Sequence, residues 1–283
     1  MAAEIIGRNY ECFYSAEDRA NGLPRLNLEL ALSKGHFSGE GWRVRKDGSA
    51  FWARVALDVI RDEDGEVLGF AKVTRDLTER LESAALLEHQ ALHDALTGLP
   101  NRVGIARQLD AILKRVGGGF RVAVHYIDLD RFKPVNDTFG HQVGDEVLRE
   151  VSSRLRMIAG VAGVAGRLGG DEFVIVQFGF FDEAAMSAMA EDIVQGLSLP
   201  VRIGEKTALV GASVGLAAAF DDVRDAAILF READLALHQA KRDGRNCFRF
   251  YRPEMNDKVL ARSLLELKLR HAVQALDFQL VYQ

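Results

Sequence analysis

The chain lacks the features that mark several large classes of protein. Among its 283 residues only Cys12 and Cys247 are cysteines. They lie far apart and outside any C-x-x-C pattern, so neither a disulfide framework nor a zinc site is indicated. No apolar run reaches the roughly 18 residues of a membrane-spanning helix, and the first residues carry no signal peptide. Basic charge is not in excess: 36 Lys and Arg stand against 41 Asp and Glu, a formal net charge of −5. Without a basic patch or a polybasic tail, nucleic acid is not an indicated partner. These absences predict a soluble, cytoplasmic chain with no membrane segment of its own; any tether of a parent protein would lie outside these residues. Phosphate-loop signatures are missing too. There is no G-x-x-x-x-G-K-[ST], and the glycines at 160, 163, 166, 169 and 170 do not spell G-x-G-x-x-G. No helical pattern opens directly after them, so the helix N-terminus on which such loops rely is absent.

What is present is enough apolar material, 48% of residues, for a sizeable core and more than one domain. Residues 1–76 read as one unit. A turn-rich start leads to a helical stretch, LPRLNLELALSKG, and then to three strand candidates: GEGWRVRK, SAFWARVALDVIRD and VLGFAKVTRD. The Asp-Gly dipeptides at Asp47-Gly48 and Asp64-Gly65 separate them as hairpin turns, which predicts an antiparallel sheet with a little helix on one side. Trp42 and Trp52 are expected in its core.

Residues 77–92, LTERLESAALLEHQAL, contain neither Gly nor Pro. Leu77, Leu81, Ala84 and Ala91 recur near heptad spacing, as in a helix that pairs with a second copy of itself. Glu88 interrupts that stripe, and a helix packed on its own domain remains the alternative.

From residue 93 to 252 strand and helix patterns alternate, the mark of an α/β domain. RVAVHYIDLD is a central apolar strand ending in carboxylates, and GDEVLREVSSRLRMI places Val147, Leu148, Val151, Leu155 and Ile158 on one helical face. A hairpin (VAGRLGGDEFVIV), a helix (DEAAMSAMAEDIVQGL), a strand (ALVGASVGLAAA), a helix (AAILFREADLALHQAKRDG) and a last strand (CFRFY) follow. Residues 253–283 read as a further helix and a few strand-like positions.

The hairpin holds the chemistry. Val174, Ile175 and Val176 favour a strand, and Gly169-Gly170 tolerate positive φ or the close approach of another group. Asp171 and Glu172 are left at the tip. Alone, two acids on a turn are solvated decoration, but Tyr126-Ile127-Asp128-Leu129-Asp130 brings a second pair at the end of a strand. Alternation is expected to send Asp128 and Asp130 to opposite faces, so that only one joins Asp171. If Asp128 and Asp171 meet at about 4 Å, they repel by about 4 kcal/mol at an effective dielectric near 20, and a cation would neutralise them. Few carboxylates with room for water and phosphate suit Mg²⁺. Lys241 and Arg245, four apart at a helix end, either face a polyphosphate or complement the helix dipole. Asn136 and Asp145 either offer the donor and acceptor types of a guanine edge, or are respectively a turn residue in Asn136-Asp137 and a helix cap.

DALTGLPNR, DLDRFKPVNDTFGHQVGDEVL, RLGGDEFVIV and ADLALHQAKRDGRN occur in the order and spacing of the GGDEF family, the diguanylate cyclases, which this part of the chain resembles. The resemblance implies a nucleotidyl-cyclase-like sheet surrounded by helices. It implies a homodimer, through the N-terminal unit, the linker helix and the cyclase faces, that condenses two GTP into cyclic di-GMP and two pyrophosphates. Carried over by position, Asp128, Asp171 and the carbonyl of Leu129 would bind Mg²⁺ or Mn²⁺, with Glu172 assisting. Lys133, Lys241 and Arg245 would hold phosphates, Asn136 and Asp145 would read guanine with His141 nearby, and Gly169 and Gly170 would admit the nucleotide. The R-x-x-D motif through which product inhibits many members is replaced by Gly160-Val161-Ala162-Gly163.

Residues 1–76 resemble the later part of a PAS sensor domain, through IIGRNYECFY, GEGWRVRKDGSAFWARV and GFAKVTRDLTER, with no ligand readable from the sequence. Tyr10 stands where a flavin-photosensing relative has its cysteine. The tail SLLELKLRHAVQALDFQLVYQ resembles the opening of an EAL phosphodiesterase domain without its catalytic motifs. A PAS-GGDEF-EAL parent is thus expected, in which the GGDEF unit is either an active cyclase or a GTP-binding regulator of the phosphodiesterase.

Overall fold

The computed structural model describes residues 4–220 and 225–256, with the separate positions 271 and 273. The chain divides between Glu88 and His89 into two compact units. The tail expected to open an EAL domain lies outside the described residues, apart from the helical positions His271 and Val273.

The N-terminal unit begins with a 3₁₀ turn, Tyr10–Phe13, followed by α1 (Ala16–Ala20) and α2 (Leu23–Lys34). Ser15 caps α1 by accepting from the Asp18 amide, and Gly35, at φ 79°, ends α2. Three antiparallel strands form a meander, β1 (His36–Val44), β2 (Ala50–Arg61) and β3 (Val67–Asp76), in the order β1-β2-β3. The first strand starts at His36, ahead of the expected GEGWRVRK. Both hairpins turn where Asp-Gly predicts, and Asp62 Oδ1 accepts from the amides of Asp64 and Glu66. Ala53, Val55 and Leu57 alternate along β2 and bury one sheet face with Ala31 of α2. Arg43 and Lys72 enter this side over the rings of Tyr14 and Phe13, and burial pushes the Lys72 amine down to about 8. The tryptophans correct an expectation: Trp42 and Trp52 pair edge to face across β1 and β2, and Trp42 is 54% exposed. They occupy the opposite pleat from Ala53 and Val55, so alternation excludes them from that core.

The linker forms α3 (Thr78–Leu92). Leu77 is buried and Leu81 is half exposed, while the side chain of Ala84 lies outside the described residues.

The second unit contains α4 (Arg102–Leu113), β4 (Arg121–Asp130), α5 (Phe132–Phe139), α6 (His141–Ala159), β5 (Gly163–Gly169), β6 (Glu172–Gly179), α7 (Glu183–Ser198), β7 (Val201–Ile203), β8 (Lys206–Ala208), β9 (Gly211–Ala219), α8 (Ala226–Arg242) and β10 (Phe248–Phe250). Five strands pair in the order β10-β9-β4-β6-β5, antiparallel except where β10 runs parallel to β9. The remaining pair, β7 and β8, is a small separate hairpin; it takes Ala208 from the strand expected from residue 208 onward, which begins instead at Gly211. Helices cover both faces. Val147, Val151 and Leu155 of α6 and Met186 and Ile193 of α7 pack on one side against Ile127 and Ile175. Ile105 and Leu109 of α4 and Ala233 and Leu237 of α8 pack on the other against Val124 and Val174. His125, on the α6–α7 side, is wholly buried beside Gln177, and burial pushes its imidazole down to about 4, so it is neutral at physiological pH.

Two helices of this unit were absent from the sequence expectation. Asn101 caps α4 by accepting from the Val103 and Gly104 amides. In α5, Pro134 is the third helical residue, early enough that its missing N–H breaks no intrahelical bond.

Candidate active site

The central strand β4 lies between β6 and β9, so the acids at its end are carried on backbone paired on both sides. Asp128 stands opposite Glu172 on β6 and Ser213 on β9. Gly170 and Asp171 make the two-residue turn between β5 and β6. Gly169 and Gly170 have φ of 144° and 53°, and space above both is open, as a hairpin tip that admits a ligand requires. The tip is pinned to its surroundings. The Leu129 amide donates to the Asp171 carbonyl at 3.2 Å. The Arg167 guanidinium donates to the Gly170 carbonyl at 2.7 Å and to Asp94 Oδ1 at 2.9 Å.

Asp128 and Asp130 do not point to opposite faces, as the sequence reading had it. They are two residues apart, and a period of two returns them to the same face. Both line one cavity of about 740 Å³ together with Asp171 and Leu129. Lys133 from the start of α5 and Lys241 and Arg245 from the end of α8 line it as well.

Charge inside the cavity is nearly balanced by the chain itself. Lys241 Nζ lies 2.6 Å from Asp128 Oδ2, and Arg245 Nε lies 3.7 Å from Asp130 Oδ1. Burial raises the Asp128 carboxyl above its usual range and the charges of Asp171 and Asp130 add to this, while Lys241 pulls it back without cancelling the rise. Among the described residues no group of three or more His, Cys, Asp and Glu is placed to hold a metal. A cation here would therefore meet few protein ligands, all oxygens: Asp128, Asp171 and the Leu129 carbonyl. That donor set fits a hard ion completed by water and phosphate, such as Mg²⁺ or Mn²⁺, and does not fit zinc.

Asn136, His141 and Asp145 are placed on α5 and α6, beside the cavity rather than in its lining. Asn136-Asp137 is helix and not turn, and Asp145 lies inside α6, where it caps nothing. The two helices touch through Gly144: a Cβ there would fall inside contact distance of Asn136 Oδ1 and press on the Phe132 ring.

Sequence reasoning passed over several residues that organise the site. Tyr126 donates from its hydroxyl to Glu172 Oε2 at 3.1 Å, and burial pushes this phenol up to about 12, with the Glu172 charge adding to the shift. Arg102, the first residue of α4, approaches the same oxygen at 3.4 Å. Asp94 and Arg167 brace the hairpin tip. Asp94 and Arg102 fall within DALTGLPNR, but contacts that span some 70 residues leave no local signal.

Known proteins resemble this chain. Residues 91–247 match the family model described as diguanylate cyclase, GGDEF domain, and residues 2–79 match a PAS domain model. The bifunctional diguanylate cyclase/cyclic di-GMP phosphodiesterase MucR of Pseudomonas aeruginosa is 37% identical over 100% of this chain, which covers 40% of that protein. The cyclic di-GMP phosphodiesterase PdeR of Escherichia coli is 36% identical over 74% of this chain and 31% of its own length. This chain thus spans well under two thirds of these relatives. Among solved structures, the isolated GGDEF domain of TpbB from Pseudomonas aeruginosa superposes with a TM-score of 0.55 at 31% identity, covering 59% of this chain and 99% of that one. A sensory box/GGDEF family protein of Caulobacter crescentus gives 0.51 at 41% identity, over 54% and 99%.

Proposed function

The chain belongs to the GGDEF family, and on that premise we propose that it is a diguanylate cyclase, joining two GTP into cyclic di-GMP with release of two pyrophosphates. The observation that carries this reading is the convergence of Asp128, Asp171, Lys133, Lys241 and Arg245 on one cavity. In the proposed dimer each subunit holds one GTP, and the 3′-hydroxyl of each nucleotide attacks the α-phosphate of the other. The new P–O bond forms as the bond to pyrophosphate breaks.

Asp128, Asp171 and the Leu129 carbonyl would hold Mg²⁺ or Mn²⁺, which when bound polarises the phosphates and favours ionisation of the 3′-hydroxyl. Lys133, Lys241 and Arg245 neutralise the phosphate oxygens, whose charge is redistributed during transfer. Glu172, next to Asp171 in the chain and steadied by Tyr126 and Arg102, would assist the metal-holding carboxylates. The Asn136 amide and the Asp145 carboxylate match the acceptors and N–H donors of a guanine edge. Gly144 leaves Asn136 its place, so Gly144→Ala is expected to weaken GTP binding about tenfold, on the scale of one displaced hydrogen bond. Titration of the folded variant reads this; an unchanged affinity would separate Asn136 from base recognition.

The absence of R-x-x-D at Gly160 and Gly163 supports a cyclase that its product does not inhibit through that site. Gly163 has its missing Cβ pressed toward the Val176 carbonyl, and Gly160 closes α6 at φ 49°, so neither position readily takes the missing side chains. Initial rates are expected to stay level as cyclic di-GMP is added; strong noncompetitive inhibition would contradict this.

Relatives named as phosphodiesterases and as a bifunctional enzyme favour one further reading, a GTP-binding module that regulates a phosphodiesterase. Incubating the purified chain with GTP and Mg²⁺ separates the two. Cyclic di-GMP supports the cyclase, and GTP binding without product supports the regulator. The PAS match supports a sensory role for the N-terminal unit.

A further inference from the structure

The two aspartates that close β4 are equivalent in the sequence Asp128-Leu129-Asp130 but not in their surroundings. Asp128 meets a lysine side chain in the cavity. Asp130 is only 6% exposed; Arg245 Nε stands 3.7 Å from its Oδ1, and two neutral donors of the chain come closer still. The Ser213 hydroxyl lies 3.0 Å from Oδ1 and 2.9 Å from Oδ2, and the Asn246 amide donates to Oδ2 at 3.0 Å. The second of these donors belongs to the turn that follows α8. There Gly244, Arg245 and Asn246 have φ of 117°, 65° and 50° in succession. Glycine and asparagine tolerate that region, whereas arginine adopts it only where its surroundings hold it. The Asn246 side chain adds two further ties, accepting from Ser198 Oγ at 2.8 Å and from the Ala212 amide at 3.4 Å.

We propose that Asp130 is a positioning residue, a clamp that holds the left-handed turn after α8 and so presents Arg245 to the cavity. The proposal rests on the assignment of Arg245 to phosphate. The two acids then have different roles. Asp128 is left for a cation, while Asp130 fixes the backbone that carries the phosphate-facing guanidinium. Ser213, buried on β9, acts through Asp130 by donating to it.

Equilibrium binding of GTP and of guanosine to the full chain, wild type and Asp130→Asn, tests this, with Mn²⁺ binding followed by its paramagnetic signal. The expected result is GTP affinity lowered about tenfold, the scale of one misplaced charge-assisted hydrogen bond. Guanosine and Mn²⁺ affinities should hold, and the Asn246 amide should exchange faster with solvent. Ser213→Ala is expected to act in the same direction by less, and it carries the test should Asp130→Asn fail to fold. Mn²⁺ affinity falling as far as in Asp128→Asn would overturn the proposal by making Asp130 a ligand. Equal loss of GTP and guanosine would overturn it by making the effect a general loss of structure. Unchanged GTP affinity in Asp130→Asn would overturn the clamp alone. A wild-type chain that binds guanosine and gains nothing from the triphosphate would instead overturn the phosphate assignment, and the proposal with it.

Discussion

Asp171→Asn is expected to lower cyclic di-GMP production by at least about a hundredfold, the scale seen when one electrostatic contact to a transition state is removed. The substitution keeps the shape of the side chain and takes away its charge. It leaves the hairpin standing, because the tip is held through main-chain groups: the Asp171 carbonyl accepts from the Leu129 amide and the Gly170 carbonyl from Arg167. A fall in turnover with unchanged circular dichroism and unfolding midpoint would therefore report chemistry. Removing one acid also relieves the repulsion that raises Asp128, so the variant should be at least as stable as the parent. Normal turnover by Asp171→Asn, measured by chromatography of the nucleotide product, would remove Asp171 from the mechanism.

Gly215→Ala is expected to destabilise the second unit by about 3 kcal/mol or more, at the upper end of overpacking changes in a close-packed interior. Gly215 is in the middle of β9, where α8 crosses it. A methyl group there would meet the Ala233 carbonyl oxygen and the Leu237 amide nitrogen well inside contact distance. Both atoms are backbone in a helix whose Ala233, Ala236 and Leu237 are buried, so no side-chain rotation relieves the clash. The helix has to retreat from the sheet, and it carries Lys241 near its end. Urea unfolding of the variant should show a lowered midpoint, with loss of GTP binding wherever it still folds. An unchanged midpoint would mean that α8 can move back without penalty.

Patterns with a short period were legible in the sequence. The β5–β6 hairpin follows from Gly169-Gly170 beside Val174, Ile175 and Val176, and α6 from the spacing of Val147, Leu148, Val151 and Leu155. α5 was not legible, because Pro134 and Asn136-Asp137 resemble a turn when their place within the first turns of a helix is unknown. Asp128 and Asp130 share a face because a separation of two along a strand preserves it. The conjunction of Asp128 with Lys241 needed the order of strands in the sheet, which puts β9 beside β4 and packs α8 against them. Tyr126 looked like one more apolar position of a strand, and only the pairing of β4 with β6 discloses that its hydroxyl meets Glu172. Trp42 illustrates the same limit on the first unit: its size suggests a core, but its pleat faces away from Val55.

The order of strands also matters at the margins of the five-stranded sheet. Among the described residues one boundary is β10, three residues long, and the other is β5, which contains three glycines and an irregular register between Arg167 and Gly169. Short or kinked borders of this kind present few aligned amide and carbonyl groups to another molecule. The central strands, where a ribbon such as Val122–Ile127, apolar but for His125, would be most adhesive, are enclosed between neighbours. The sheet is thus guarded against runaway strand-to-strand assembly, and a unit proposed to work in pairs is left to associate through other surfaces.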